Sequence, residues 1–110
     1  MSALLVDIGA LRRRLVLERP METGDGAGGV IRTYNAADTL WAQVTPVSAR
    51  SDVEADKFGV AARFRIVIRA RSGISTRHRF REGERVYRII AVSESADRRF
   101  LEIDAETKEE

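Results

Sequence analysis

The side chains that could carry out acid–base catalysis are few, because this chain of 110 residues has one histidine, His78, and no cysteine. A catalytic base becomes positive when it accepts a proton, and the neighbouring Arg77 and Arg79 oppose that change. The pattern therefore favours a histidine on the surface of a strand over a Ser–His–Asp triad. No spacing places two carboxylates across a cleft either. We expect no catalytic residues and predict that the protein is not an enzyme.

Metal and cofactor sites are not expected. With one histidine and no cysteine, carboxylates would have to hold a metal, and Asp52, Glu54 and Asp56 lack the glycine and final glutamate of a calcium-binding loop. The glycines at positions 24, 26, 28 and 29 are not followed by the Gly-Lys-Ser/Thr of a phosphate-binding loop. These glycines favour a hairpin loop instead, because glycine adopts positive φ at low cost.

Arginines form the most distinctive polar pattern in the chain. They alternate with Phe64, Ile66 and Ile68 in one segment and recur after the next turn. A buried sheet face cannot hold so many charges, so these side chains are expected to face outward. Such a face suits acidic partner surfaces or phosphates, which leaves three roles open: contact with a partner subunit, contact with DNA, or solvation alone. The arginines of this contact face are Arg63, Arg65, Arg69, Arg71, Arg77, Arg79 and Arg81.

Charge is unevenly distributed along the chain, although the net charge is only +2. Residues 57–88 hold ten basic side chains and two acidic ones, whereas residues 94–110 hold seven acidic and three basic ones. The chain is thus basic in its centre and acidic at its end. These two regions provide unlike surfaces for association.

Short segments of alternating apolar and polar residues, separated by turn residues, account for most of the chain. Leu15 and Leu17 share one face of the first segment, which Pro20 is expected to end because it lacks an N–H donor. The predicted strands cover residues 11–20, 30–34, 39–47, 63–71, 77–81, 85–94 and 98–105. The strand at 85–94 is expected to hold Tyr87 and Ile89 on one face and Val86, Ile90 and Val92 on the other. The pattern predicts an all-β fold, a small antiparallel β-barrel of about six or seven strands with long loops.

The chain is expected to form a single domain over residues 1–110, since 44% hydrophobic and 33% charged residues are ordinary for a folded domain. Its parts are an N-terminal arm at 1–10, which could include a short amphipathic helix, long loops at 21–29 and 48–59, and a frayed acidic tail at 105–110. No apolar run reaches the roughly 20 residues of a membrane helix, and the N-terminus lacks the features of a signal peptide. Without cysteines, the fold suits a reducing compartment such as the cytoplasm.

Several short motifs follow one another in a characteristic order. They are GALRRRL at residues 9–15 with LERP at 17–20, GG at 28–29, TY at 33–34, LWAQV at 40–44 with Pro46, RIVIR at 65–69, GI at 73–74, RVYRI at 85–89 and FLEI at 100–103. Each motif alone is only a weak strand-like pattern. Their order and spacing from residue 9 to residue 103 resemble the phage head-tail joining family.

This resemblance implies a head-closure, or stopper, protein of a tailed phage, a prophage or a gene transfer agent. It implies a homo-oligomeric ring of six or twelve copies in the neck of the particle, made in the bacterial cytoplasm. The ring would lie between a portal or adaptor ring on the head side and a tail terminator or tail tube protein on the tail side. Double-stranded DNA would pass through its channel, and no membrane would be involved.

Family members of this kind close the channel with a long loop, and the region at 48–59 is the matching candidate. The residues assigned to this channel-gating loop are Ser51, Asp52, Val53, Glu54, Ala55, Asp56, Lys57 and Phe58. Contacts around a ring join unlike surfaces, so we expect Glu102, Asp104 and Glu106 to face arginines of a neighbouring copy or of the adjoining ring. The alternative function is a stand-alone β-barrel nucleic-acid-binding module that uses the arginine-rich face on phosphates.

Overall fold

The computed structural model describes residues 8–47 and 60–109, and these residues fold into strands that follow one turn of 3-10 helix. The 3-10 turn covers Ile8–Ala10. The six strands of the described residues are β1 (Arg13–Gly24), β2 (Val30–Pro46), β3 (Val60–Arg69), β4 (Arg79–Glu82), β5 (Arg85–Glu94) and β6 (Phe100–Glu109). The predicted helix in the N-terminal arm falls mostly on residues 1–7, and the predicted loop on 48–59; both lie outside the described residues.

The strands close into a barrel in the order β1-β2-β3-β6-β5-β4, and every neighbouring pair is antiparallel. Strands β3 and β6 pair along ten residues, from Val60 opposite Glu109 to Arg69 opposite Phe100. The short β4 completes the ring by pairing Phe80 with Leu17 of β1. The predicted all-β antiparallel barrel is confirmed, with a strand count within the expected range.

Alternation along the strands places the apolar side chains inside the barrel. Leu15, Ile66, Phe80, Tyr87 and Ile103 are fully buried in one cluster. Burying side chains of this size stabilises the fold by roughly 1.5–3 kcal/mol each. The predicted inward faces of β1, β3 and β6 are confirmed, since Leu17, Ile68, Leu101 and Ala105 belong to the same cluster.

Strand β5 departs from the predicted alternation. The pairing with β6 shifts register between Ile89 and Ala91, so Ile90 forms a bulge and is 40% exposed. A bulge inserts one residue and reverses the faces that follow it. Val92 therefore packs against the core on the same side as Tyr87 and Ile89, and its predicted place on the face of Val86 is wrong.

The β1–β2 hairpin is longer than expected. Strand β1 continues through Pro20 to Gly24, so the predicted loop at 21–29 shrinks to a turn at 25–29. Pro20 does not end the strand, because the edge of β1 that faces β4 has no partner beyond Glu18. A proline is tolerated on such an unpaired edge, where no N–H donor is needed. The two strands predicted at 30–34 and 39–47 are likewise one continuous strand, β2.

The C-terminal segment is also strand, and the prediction of a frayed tail at 105–110 is wrong for the residues through Glu109. Strand β3 begins at Val60, and its first residues pair with 105–109. Ala105 and Thr107 are buried on the inner side of that pairing. Glu106 between them follows the same alternation and points outward, so the acidic composition of this segment did not indicate that it is a regular strand.

Candidate assembly surfaces

Five of the seven arginines of the predicted contact face lie on two strands, and the other two, Arg71 and Arg77, lie in the connection between them, where Arg71 pairs with Asp38 at 2.7 Å. Arg63, Arg65 and Arg69 are on β3, whereas Arg79 and Arg81 are on β4. In the barrel, β6 and β5 separate these strands on one side and β1 and β2 on the other. The arginines therefore do not form one continuous surface. Whether either group contacts a subunit or DNA stays a prediction.

On the β3 side, the predicted basic face and the predicted partner-facing acids are neighbours. Arg65 lies opposite Asp104 in the β3–β6 pairing, and its Nε donates to Asp104 Oδ1 at 3.1 Å. Its Nη1 lies 3.7 Å from Glu102 Oε1. Glu106 is flanked by Arg63 on β3 and by Arg88 on β5. The acids thus have basic neighbours within the chain, and contact with another copy stays a prediction.

On the β4 side, two arginines of the set bind one buried carboxylate. Glu18 is 7% exposed, and its two oxygens accept hydrogen bonds from Arg79 Nε at 2.6 Å and Arg81 Nε at 2.9 Å. Burial raises the pKa of Glu18, but the hydrogen bonds from the two arginines outweigh it and the net pKa lies below its ordinary value. The guanidinium of Arg79 also stacks 3.8 Å from the ring centre of Tyr34. These arginines close the barrel at the β1–β4 seam.

A second ion cluster lies nearby, where β1 approaches the β4–β5 turn. Arg13 Nη2 donates to Glu82 Oε1 at 2.5 Å and to the Tyr87 hydroxyl at 3.2 Å. The hydrogen bond from Arg13 lowers the pKa of Glu82 despite partial burial. Neither Glu18 nor Glu82 was predicted from the sequence to be part of a site. Their partners are more than 60 residues away along the chain, so only knowledge that β4 folds onto β1 could have found them.

The lone histidine lies in a turn just before β4. Ser75 N and Ser75 Oγ lie 3.3 and 3.2 Å from His78 Nδ1, and Ser75 Oγ accepts a hydrogen bond from the backbone of Arg77. Burial lowers the pKa of His78, and the charges of Arg19, Arg71 and Arg77 lower it further. Within the described residues, no carboxylate hydrogen-bonds to this ring. The Ser75–His78 contact caps a tight turn.

A basic hollow of about 420 Å³ lies between this turn, β2 and β5. Arg32, Arg77 and Arg88 contribute to its walls together with Tyr34 and His78. Arg32 is paired with Glu22 at 2.6 Å, while Arg77 and Arg88 make no ion pair within the described part of the chain. The hollow is therefore a place where an anionic group could bind.

Exposed apolar side chains are concentrated at the two ends of the β1–β2 hairpin. At the far end, Met21, Val30 and Ile31 are 43%, 63% and 50% exposed. At the barrel end, Trp41 is 55% exposed beside Leu11 in an open groove of about 500 Å³. Of the far-end side chains, Val30 and Ile31 lie in the strand predicted at 30–34, whereas Met21 lies in the predicted loop at 21–29. What the sequence did not predict is that these apolar side chains would be exposed at the end of a hairpin.

The predicted gating loop, Ser51 to Phe58, lies outside the described residues. Over the ranges 8–47 and 60–109, no three metal-binding side chains come together and no helix is long and apolar enough to cross a membrane.

Comparison with known proteins gives a consistent result. Residues 6–109 match the family model described as phage head completion protein. A chain from the virion of a native gene transfer agent particle is 35% identical, with a TM-score of 0.72 over 89% of this chain and 94% of that one. The solution structure of a protein from Shigella flexneri 2a is 31% identical, with a TM-score of 0.70 over 93% of this chain and 96% of that one. No curated protein matches the chain.

The family model spans nearly the whole chain, and the similar structures are covered almost end to end. The resemblance to head-tail joining proteins that the motifs indicated is confirmed. The chain belongs to the phage head completion protein family and is a structural component of the head–tail region of phage-like virions.

Proposed function

We propose that the protein is a connector subunit of the stopper, or head-closure, type, whose copies form a ring between the portal or adaptor ring and the tail. The observation that carries this proposal is the similarity to a chain of a gene transfer agent virion, which extends over 94% of that chain. A closed barrel supports it as well. Because the strands of the barrel body close on one another, whereas the outer part of the β1–β2 hairpin has unpaired edges, copies of this chain would associate through side-chain surfaces of the barrel and not by adding strands to it.

The outward arginines supply positive charge for the partners of such a ring. Arg63, Arg69 and Arg77 are exposed and make no ion pair with the described part of the chain. Exposed guanidinium groups of this kind can contact passing DNA or acidic side chains of an adjoining ring. Residues 51–58, which lie between β2 and β3 in the sequence, are the gate of the channel in this proposal.

Purified wild-type protein and assembled particles test the proposal together. Native mass measurement and electron microscopy should reveal a ring of six or twelve copies, either of the isolated protein or at the neck of the particle. Deleting residues 52–57 should leave the ring intact but allow packaged DNA to leak. Particles that contain no ring of this chain would contradict the connector role, and deleted particles that retain DNA would contradict the gate.

The basic hollow favours a second candidate, a stand-alone nucleic-acid-binding module. Arg77 and Arg88 could place two guanidinium groups against phosphates there. A monomer of this kind should bind duplex DNA with an affinity that falls steeply as salt rises, and Arg77→Ala with Arg88→Ala should abolish most of that binding. A ring with no salt-dependent DNA binding by the monomer would favour the connector.

A further inference from the structure

We infer that the tip of the β1–β2 hairpin of one copy binds the Trp41 groove of the next copy. The inference rests on the proposed ring and names the contact that would build it. We call residues 19–24 and 30–35 the arm, and the open depression bordered by Leu11, Arg12, Trp41 and Arg69 the groove.

The arm is a two-stranded ribbon with no core beneath it. Beyond Glu18, β1 pairs with β2 but no longer with β4, and each residue from 21 to 33 is exposed. A two-stranded ribbon alone is marginally stable in water. A paired, ordered ribbon of this length therefore gains stability when a partner covers one of its faces.

One face of the arm is suited to such a partner. Met21 lies opposite Thr33 and Thr23 lies opposite Ile31, and residues that are directly opposite share a face. This tip face carries no charge along these four positions. The reverse face carries Val30 and the ion pair between Glu22 and Arg32. Beyond Arg19 the arm is thus amphipathic, although residues 21–33 are all exposed.

The groove has the complementary character. Trp41 presents more than half of its surface to solvent, and Arg14 stacks over its ring at 5.3 Å. Exposed tryptophan and arginine are the side chains that most often dominate protein interfaces. Arg12 and Arg69 border the groove, and the turn at the end of the arm carries an exposed acid, Asp25. An apolar surface next to an acid can therefore meet an apolar surface between two arginines.

The arm cannot reach the groove of its own chain. Trp41 pairs with Arg14 at one end of the hairpin, and Val30 pairs with Gly24 at the other end. Val30 and Trp41 are eleven residues apart on β2. At about 3.3 Å per strand residue, the two sites are roughly 36 Å apart along the hairpin, whose pairing shifts register once, between Leu17 and Glu18. The contact must therefore join two molecules. A contact between opposite ends of successive copies is heterologous, which is the type that generates a ring.

Engineered cysteines provide a clean test, because the chain has none of its own. Ile31→Cys combined with Arg12→Cys should form a ladder of disulfide-linked multimers when assembled rings or particles are oxidised. A mixture of the two single variants should form linked dimers only. Ile31→Cys combined with Ala91→Cys, an exposed position on β5, which lies across the barrel from β2, is the matched control and should stay monomeric on a denaturing gel.

A substitution pair on the arm completes the test. Ile31→Asp should raise the concentration needed for assembly at least tenfold, whereas Val30→Asp, its neighbour on the reverse face, should change it less than twofold. Both variants should keep the wild-type circular dichroism spectrum. If wild-type copies form rings but Ile31→Asp assembles normally and the cysteine pair yields monomers, the arm contact is overturned and the ring proposal stands. If wild-type copies never form a ring, the proposed function itself fails.

Discussion

The two halves of the β1–β2 hairpin share the same strand pairing but have opposite environments. In the inner half, Leu15, Leu17 and Ala42 are buried in the barrel, and Glu18 holds two arginines at the seam with β4. In the outer half, from residue 21 to residue 33, the side chains are exposed and the ion pair between Glu22 and Arg32 is open to solvent. The inner half of the hairpin thus stabilises the domain, and the outer half presents an exposed surface.

The largest expected difference between the halves is in core packing. Phe80 is fully buried where β4 closes onto β1, so Phe80→Ala should lower the free energy of unfolding by about 3–5 kcal/mol. Met21→Ala on the arm should change it by less than about 0.5 kcal/mol. Urea unfolding of both variants, at concentrations below those for assembly, measures the two effects. Comparable losses would show that the arm belongs to the folding core.

The two glutamate–arginine clusters offer the next comparison. Glu18→Ala leaves two partly buried guanidinium groups without their acceptor and should destabilise the domain by about 2 kcal/mol. Glu22→Ala removes a solvated pair on the arm and should leave the unfolding midpoint unchanged, because exposed pairs contribute little. Equal shifts in the denaturant midpoint of both variants would contradict the distinction between the seam and the arm.

The seam should also give the domain an acid sensitivity. The pKa of Glu18 and that of Glu82 both lie below the ordinary value of 4.5 in the folded chain. Each ionised carboxylate therefore adds stability above pH 4.5, and that stability is lost as the pH falls through the lower folded value. Thermal unfolding between pH 7 and pH 3 should show a steeper loss for wild type than for Glu18→Gln. A loss of the same steepness in both proteins would count against the role of Glu18.

The smallest expected effect is at the end of the arm. Asp25 Oδ1 accepts hydrogen bonds from the backbone N–H of Ala27 and of Gly29, at 2.7 and 2.9 Å. Asp25→Ala should speed amide exchange at those two positions without changing global unfolding. If the inferred arm contact forms, Asp25→Ala should also weaken assembly a few-fold, because it removes the acid that the inference places against Arg12 and Arg69 of the next copy. NMR exchange rates that match wild type would show that the side chain does not shape the turn.

The inward faces of the barrel could be predicted from the sequence, because alternation is a local property. Leu15, Ile66 and Ile103 follow a period of two and are buried as expected. The bulge at Ile90 could not be predicted, since an inserted residue is defined by the partner strand and leaves no local mark. Pro20 misled the prediction for a related reason: whether a missing N–H ends a strand depends on whether a neighbour is present there.

The candidate surfaces were less accessible to sequence reasoning than the fold. Seven arginines with a regular spacing suggested one face, but the barrel order separates β3 from β4 and assigns Arg79 and Arg81 to Glu18. That grouping depends on contacts between residues far apart in the chain. The arm and the groove were not predicted, because the exposure of a side chain, unlike its hydrophobicity, depends on the folded structure.

High-resolution imaging of the particle neck tests the central claim most directly. The inferred arm contact places Met21 and Ile31 of each copy against Trp41 of the next. The proposed function places the resulting ring between the portal or adaptor and the tail. Finding the chain elsewhere in the particle, or as isolated monomers at the neck, would contradict it.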